Sequence, residues 1–263
     1  MAGIGFRLQA LVAKGSYFEA TGAYLSSMVI SAGPWLSGVI ALMVLSGTTE
    51  GYLSADDHAL LFATIVTVFA ASLLLAGGPQ LLITRYLADR FYLDDRASIA
   101  PTCAGVLCLS MPVALTTLPF VLLTNFDIRY RLLVSTLFMT LTMIWMVMVF
   151  LSAAHAYMRI VLIFVLCYAL GIGAAVGLGH LYGLIGSLAG FTLGQFICLS
   201  LLVMSIYAEF APAHSISFAY LGYIAKYWDL IAIGLLYAVG IWIDNILFWM
   251  SPQAQVISGF YHL

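Results

Sequence analysis

The sequence predicts an all-α, polytopic membrane helix bundle of about seven transmembrane helices, with its N-terminus in the cytoplasm. Three observations predict it. First, 64% of the 263 residues are apolar and only 8% are charged, against roughly 45–50% and about 25% in soluble domains. Such a chain has too few polar side chains to cover an aqueous exterior. Second, the scarce charges separate long charge-free stretches, each exceeding the ~20 residues that cross a hydrocarbon core about 30 Å thick. Third, those stretches are continuously apolar and lack the alternation of barrel strands. Disorder and a disulfide-stapled secreted fold are excluded by the same composition. No nucleic-acid partner is expected, because nine dispersed basic residues make no patch for a phosphate backbone.

The elements follow in chain order. Residues 1–20 are too polar to span and lack the apolar core and cleavage site of a signal peptide. Ile4, Leu8, Leu11 and Val12 share one helical face beside Arg7 and Lys14. That pattern suits either a helix lying along the cytoplasmic interface or a helical lead-in to the first span. Spans are expected in Ala20–Thr49, His58–Thr84, Ala97–Phe126 and Leu132–Met158. Ile160–Ala208 carries no formal charge and is too long for one crossing. It breaks at His180-Leu181-Tyr182-Gly183, giving two helices joined in a tight hairpin. Residues 21–208 therefore form a first bundle of six helices. Residues 209–229 form a cytoplasmic linker, 230–250 a seventh helix and 251–263 an outer loop.

Orientation follows from the basic residues, which resist transfer across the membrane. With the N-terminus inside, Arg7, Lys14, Arg85, Arg90, Arg96, Arg159 and Lys226 are cytoplasmic, and only Arg129 and Arg131 are outside.

Inside the spans, Pro34, Pro79, Pro112 and Pro119 each remove a backbone donor, which lipid tolerates only where protein or a wet cavity satisfies the freed carbonyl. Helices bent around a cavity would suit an alternating-access transporter. Proline is also simply common in membrane helices. Gly173, Gly177, Gly179 and Gly183, then Gly186, Gly190 and Gly194, recur at spacings that let two backbones approach closely. Cys103, Cys108, Cys167 and Cys198 all lie in predicted spans and read as reduced, apolar thiols. No metal site or cofactor is expected, since no pair has ligand spacing.

Asp244 is the one acid well inside a span, about 9 Å below the outer interface. A carboxylate there costs about 2.5–3.5 kcal/mol unless it is paired, hydrated or protonated. With Asn245 and Trp242 it is a candidate for the transport path; the alternatives are an inter-helix hydrogen bond or a shallow, wetted acid. Arg85 opens the mixed-sign segment Arg85-Tyr86-Leu87-Ala88-Asp89-Arg90, read as a loop that clamps a gate, docks a partner or is simply solvated. Pro34 completes the pathway candidates as a kink. Phosphate-cradling loops, zinc-protease motifs and nucleophile elbows are all missing, so the chain is not expected to be an enzyme.

Several blocks carry a more specific resemblance. Met1-Ala2-Gly3-Ile4-Gly5-Phe6, Ile30-Ser31-Ala32-Gly33-Pro34-Trp35, Thr84 through Arg90, and Gly234-Leu235-Leu236-Tyr237 leading to Gly240-Ile241-Trp242-Ile243-Asp244 resemble the PelG family of Pel-type exopolysaccharide transporters. The resemblance implies the multidrug/oligosaccharidyl-lipid/polysaccharide exporter superfamily, whose members carry two six-helix halves that rock around a central cavity. It implies export of a neutral polysaccharide chain across the bacterial inner membrane, beside the glycosyltransferase PelF and the membrane proteins PelD and PelE. Members are roughly twice this length, so the chain is expected to hold an N-terminal half plus the first helix of the second. The family pattern has a basic residue where this chain has Asn245. Two other readings are a lipid-linked sugar flippase or drug/proton antiporter of the same superfamily, and a non-transporting scaffold for a polysaccharide synthase.

Overall fold

The computed structural model describes residues 33–34, 36–117, 119, 123–154, 157–210, 215–252, 256–257 and 261–262. The proposed interfacial segment 1–20 and the start of the first span lie outside them. The architecture is an all-α membrane bundle: α1 (Leu36–Thr49), α2 (Ala55–Tyr92), α3 (Ile99–Ser110), α4 (Ile128–Ala153), α5 (Tyr157–Glu209), α6 (Gly222–Lys226) and α7 (Trp228–Trp249). Among the described residues, α2, α4, α5 and α7 are long and apolar enough to cross a membrane. A two-residue antiparallel pair, Val256–Ile257 with Tyr261–His262, follows α7 and packs on α2.

Helix α2 is central, with α4 and α7 both packed along it. It begins at Ser54, whose side chain accepts from the Asp57 amide, and Asp56 and Asp57 in its first turn face the positive end of its dipole. It does not stop at Thr84: the segment from Arg85 to Arg90, expected as a loop, is helical. Arg85 pairs with Asp89 one turn on at 3.0 Å, while Tyr86 and Leu87 are buried, so this stretch has both a surface pair and a core face. The end is a Schellman turn. Asp94 adopts a left-handed φ of 55°, its amide donates to the Phe91 carbonyl, and Asp95 donates to Arg90.

Pro79 interrupts nothing, since α2 is continuous through it. Pro112 does act as a breaker. The third span was expected as one helix to Phe126, but α3 ends at Ser110 and continues as a 3₁₀ turn over Met111–Thr117. A proline at 112 lacks the amide that would bond to the Cys108 carbonyl and its ring crowds that carbonyl. The Met111 amide instead closes on Cys108.

The hairpin falls where the sequence placed it. Helix α5 is broken at Gly183, with φ 61° and ψ −138°, a conformation that glycine adopts without strain. The arms then run back to back with almost no side chain between them. A Cβ built on Gly194 would lie 2.4 Å from the Gly171 Cα, and one on Gly186 would lie 2.0 Å from the Leu178 carbonyl oxygen. The second arm supplies Gly186, Gly190 and Gly194 as expected. The first supplies Gly171, Ala174, Ala175 and Leu178, whereas Gly173 and Gly177 face open space. Arg159 and Glu209 close the feet of the hairpin at 3.3 Å.

Polar clasps hold α2 against α4. The Thr64 and Tyr130 hydroxyls bond to each other, Trp145 Nε1 donates to Ser72 Oγ at 3.1 Å, and Gln80 Nε2 donates to the Trp145 carbonyl at 3.0 Å. In hydrocarbon such groups are expensive to leave unpaired, so the clasps fix the rotation of each helix.

The linker is strapped to this bundle. The Ser217 amide donates to the Pro101 carbonyl at 3.0 Å, and Gly105 makes the approach possible, since a Cβ there would meet the Ser217 oxygen at 2.1 Å. Gly105→Ala is expected to lift the strap, destabilising the protein by about 1–3 kcal/mol and speeding tryptic cleavage after Lys226. Unchanged cleavage kinetics in limited proteolysis would show that the strap tolerates the methyl group.

Candidate functional site

Helix α7 is held by one stripe. Its buried residues are Gly234 and Ala238, and they meet Gly77 and Gly78 of α2. A Cβ on Gly77 would lie 2.6 Å from the Ala238 Cβ, and one on Gly78 would lie 3.0 Å from Ile231 Cγ2. The two helices therefore cross antiparallel at backbone contact. Trp242 continues the stripe, half-buried, with its ring 6.3 Å from that of Trp249. Its Nε1 is buried with no partner among the described residues.

The rest of α7 is bare. Ile233, Tyr237, Ile241 and Phe248 are exposed, Tyr237 at 71%, and Asp244 is exposed on the same side. Positions 233, 237, 241, 244 and 248 recur at three and four residues, so they share one face, on which Asp244 lies about 80° around the helix from Gly234 and about 120° from Ala238. Among the described residues the polar contact of Asp244 is local: Asn245 Nδ2 donates to its Oδ1 at 3.2 Å. Asp244 presents a carboxylate on an otherwise apolar face, and the exposed Asn245 amide bonds to it from the next position round the helix. That combination accepts and donates hydrogen bonds to hydroxyl groups.

Arg85 lies at the other end of the crossing. Tyr223 donates its hydroxyl proton to Asp89 Oδ2 at 3.0 Å, so Asp89 ties Arg85 on one oxygen and the linker on the other. Tyr86 stacks edge-on to Tyr223 with centroids 5.2 Å apart, and Arg90 caps the Tyr86 ring at 4.8 Å while pairing with Asp95 at 3.2 Å. Burial, and then the bond to Asp89, raise the Tyr223 phenol above its ordinary value. Burial pushes the Tyr220 phenol up to about 12. These contacts join the end of α2 to the linker, where the sequence had suggested a loop.

Pro34 is placed apart from both. Ser37 donates to its carbonyl at 2.9 Å, beside a groove of about 600 Å³ between α1 and the first arm of α5, walled by Leu36, Ile40, Val44, Val165 and Ile172. These walls are apolar, and Ser37 and Tyr168 complete the lining. The sequence reading missed Tyr223, Tyr227 and Lys226. Their signal was present as Tyr220, Tyr223 and Tyr227 at helical spacing in the linker.

Comparison with known proteins identifies one family. The PelG family, described as "Putative exopolysaccharide Exporter (EPS-E)", matches residues 1–263. No curated protein and no solved structure matches the chain.

Proposed function

The chain belongs to the PelG family of exopolysaccharide exporters, and from that premise we propose that it passes a neutral, hydroxyl-rich polymer along the open face of α7. The observation that carries this reading is the Asp244–Asn245 pair on that face. A carboxylate exposed in a span is costly against lipid, so the face is turned toward a wet path or another helix bundle. A path poor in charge, with one acid and one amide, suits an uncharged sugar chain: it offers hydrogen bonds without trapping the polymer. The chain would act as a transporter rather than a catalyst, in the bacterial inner membrane, with its linker end cytoplasmic. PelD, PelE and PelF are the proposed companions there, with membrane lipid around the bundle. Rocking of two halves around the α7 face is the proposed mechanism, with the second half following α7 or supplied by another chain.

Asp244→Leu is expected to lower secreted polymer at least about tenfold, because one or two hydrogen bonds to a charged group are lost. Asp244→Asn, which keeps the hydrogen-bonding shape, is expected to stay within about twofold. Secreted polysaccharide is quantified at equal protein level in the membrane. Normal export by Asp244→Leu would remove this face from the path. Loss of export by Asp244→Asn alone, with a lost dependence on the proton gradient, would favour the antiporter reading.

A further inference from the structure

We propose that Arg85, Lys226 and Tyr227 form an anion site at the start of α7 that binds the phosphate of an anionic lipid headgroup. The site stands apart from the export reading and rests on different residues.

Its depth is set by sequence. Arg85 directly follows the apolar stretch of α2, and Lys226 and Tyr227 directly precede the span of α7. Both cations thus emerge where hydrocarbon gives way to headgroups. Trp228 beside them is 68% exposed, the amphipathic ring expected at that level.

The geometry converges on one ring. The Arg85 guanidinium carbon lies 5.5 Å and Lys226 Nζ lies 5.0 Å from the centroid of Tyr227. Two cations thus gather at one phenol, close enough for a single phosphate group to engage both. Asp89 does not cancel this charge. Its two oxygens already hold Arg85 and the Tyr223 hydroxyl, so it positions the guanidinium while half of the Arg85 side chain stays exposed. No ion pair is recorded for Lys226 among the described residues. The nearest acid in sequence is Asp229, in the first turn of α7; the carboxylate whose charge reaches Lys226 is Asp89.

Two further facts agree. The first turn of α7 has no side-chain cap, so its free amides add positive potential at the same point. The Tyr227 phenol is held below its ordinary value by its bond to Lys226 first and by Arg85 after it. A field that favours negative charge on the phenol oxygen also favours phosphate oxygens. Basic groups at such a depth are the usual anchors of anionic lipids.

The test uses the full chain in mixed lipid nanodiscs and measures co-purifying phosphatidylglycerol against phosphatidylcholine. Wild type is expected to retain phosphatidylglycerol with about tenfold preference, and R85Q/K226Q to lose that preference. Lys226→Gln alone, at an exposed side chain, is expected to lose about threefold without affecting folding. Equal retention by wild type and both variants, or equal retention of the two lipids by wild type, overturns the proposal. A third arm adds inorganic pyrophosphate at millimolar concentration. Displacement of the lipid at that concentration would reassign the site to a soluble phosphate compound; persistence of the lipid supports the headgroup.

Discussion

Gly190→Ala is expected to destabilise the protein by about 1–3 kcal/mol, the usual cost of forcing a methyl group into a packed interior. The added Cβ would lie 2.3 Å from the Ala174 carbonyl carbon and the Ala175 amide, and 2.5 Å from the Ala174 oxygen. All three atoms are backbone, so no rotamer change relieves the clash and the arms of α5 must part by about 1 Å. Elsewhere in a helix the same substitution has the opposite sign, since alanine is favoured over glycine by about 0.8–1 kcal/mol. Gly173→Ala and Gly177→Ala, both at positions with open space, are therefore expected to be neutral or stabilising. Unfolding in micelles with rising SDS, followed by tryptophan fluorescence, reads all three. A neutral Gly190→Ala would mean that the arms do not meet at backbone distance.

Gly234→Ala is expected to displace α7. Its Cβ would meet the Gly77 carbonyl oxygen at 2.3 Å and the Gly78 Cα at 3.1 Å. The only buried residues of α7 are Gly234 and Ala238, so the helix has little other packing with which to resist. A loss of about 1–3 kcal/mol is expected, with export falling by about tenfold or more because the Asp244 face is re-aimed. Gly240→Ala, where nothing lies within 4 Å of the added methyl group, should leave stability unchanged. Export by Gly234→Ala at the wild-type level would show that the crossing does not position the face.

The fold class and the hairpin could be read directly from sequence, because lipid imposes a length and a composition that charges interrupt. Gly183 was found because a charge-free run from Ile160 to Ala208 cannot cross only once. The face of each arm was harder: spacing by four fits Gly173 and Gly177 as well as Gly186 and Gly190, and only the partner's backbone decides which row is used. The helical Arg85–Arg90 segment was hidden for a related reason. Charge content marks the end of a span but not the end of a helix, and Arg85 with Asp89 stabilises the continuation in water. Of the candidate residues, Asp244 stood out through its cost in lipid. The meeting of Gly77 with Gly234 is a contact between positions far apart in sequence, with no local pattern to announce it. Tyr223 and Lys226 belong to a short linker whose meaning depends on the overhanging end of α2.

That overhang gives α7 two fastenings in two solvents. The glycine crossing lies in hydrocarbon and depends on shape alone. The Asp89–Tyr223 and Arg85–Tyr227 contacts lie beyond the apolar stretch, where ions screen charge over about 8–10 Å. Ionic strength and the headgroup composition of the adjoining leaflet therefore act on one fastening and leave the other untouched. The helix is thus pinned like a compass needle, fixed at its pivot and adjustable only at its wet end.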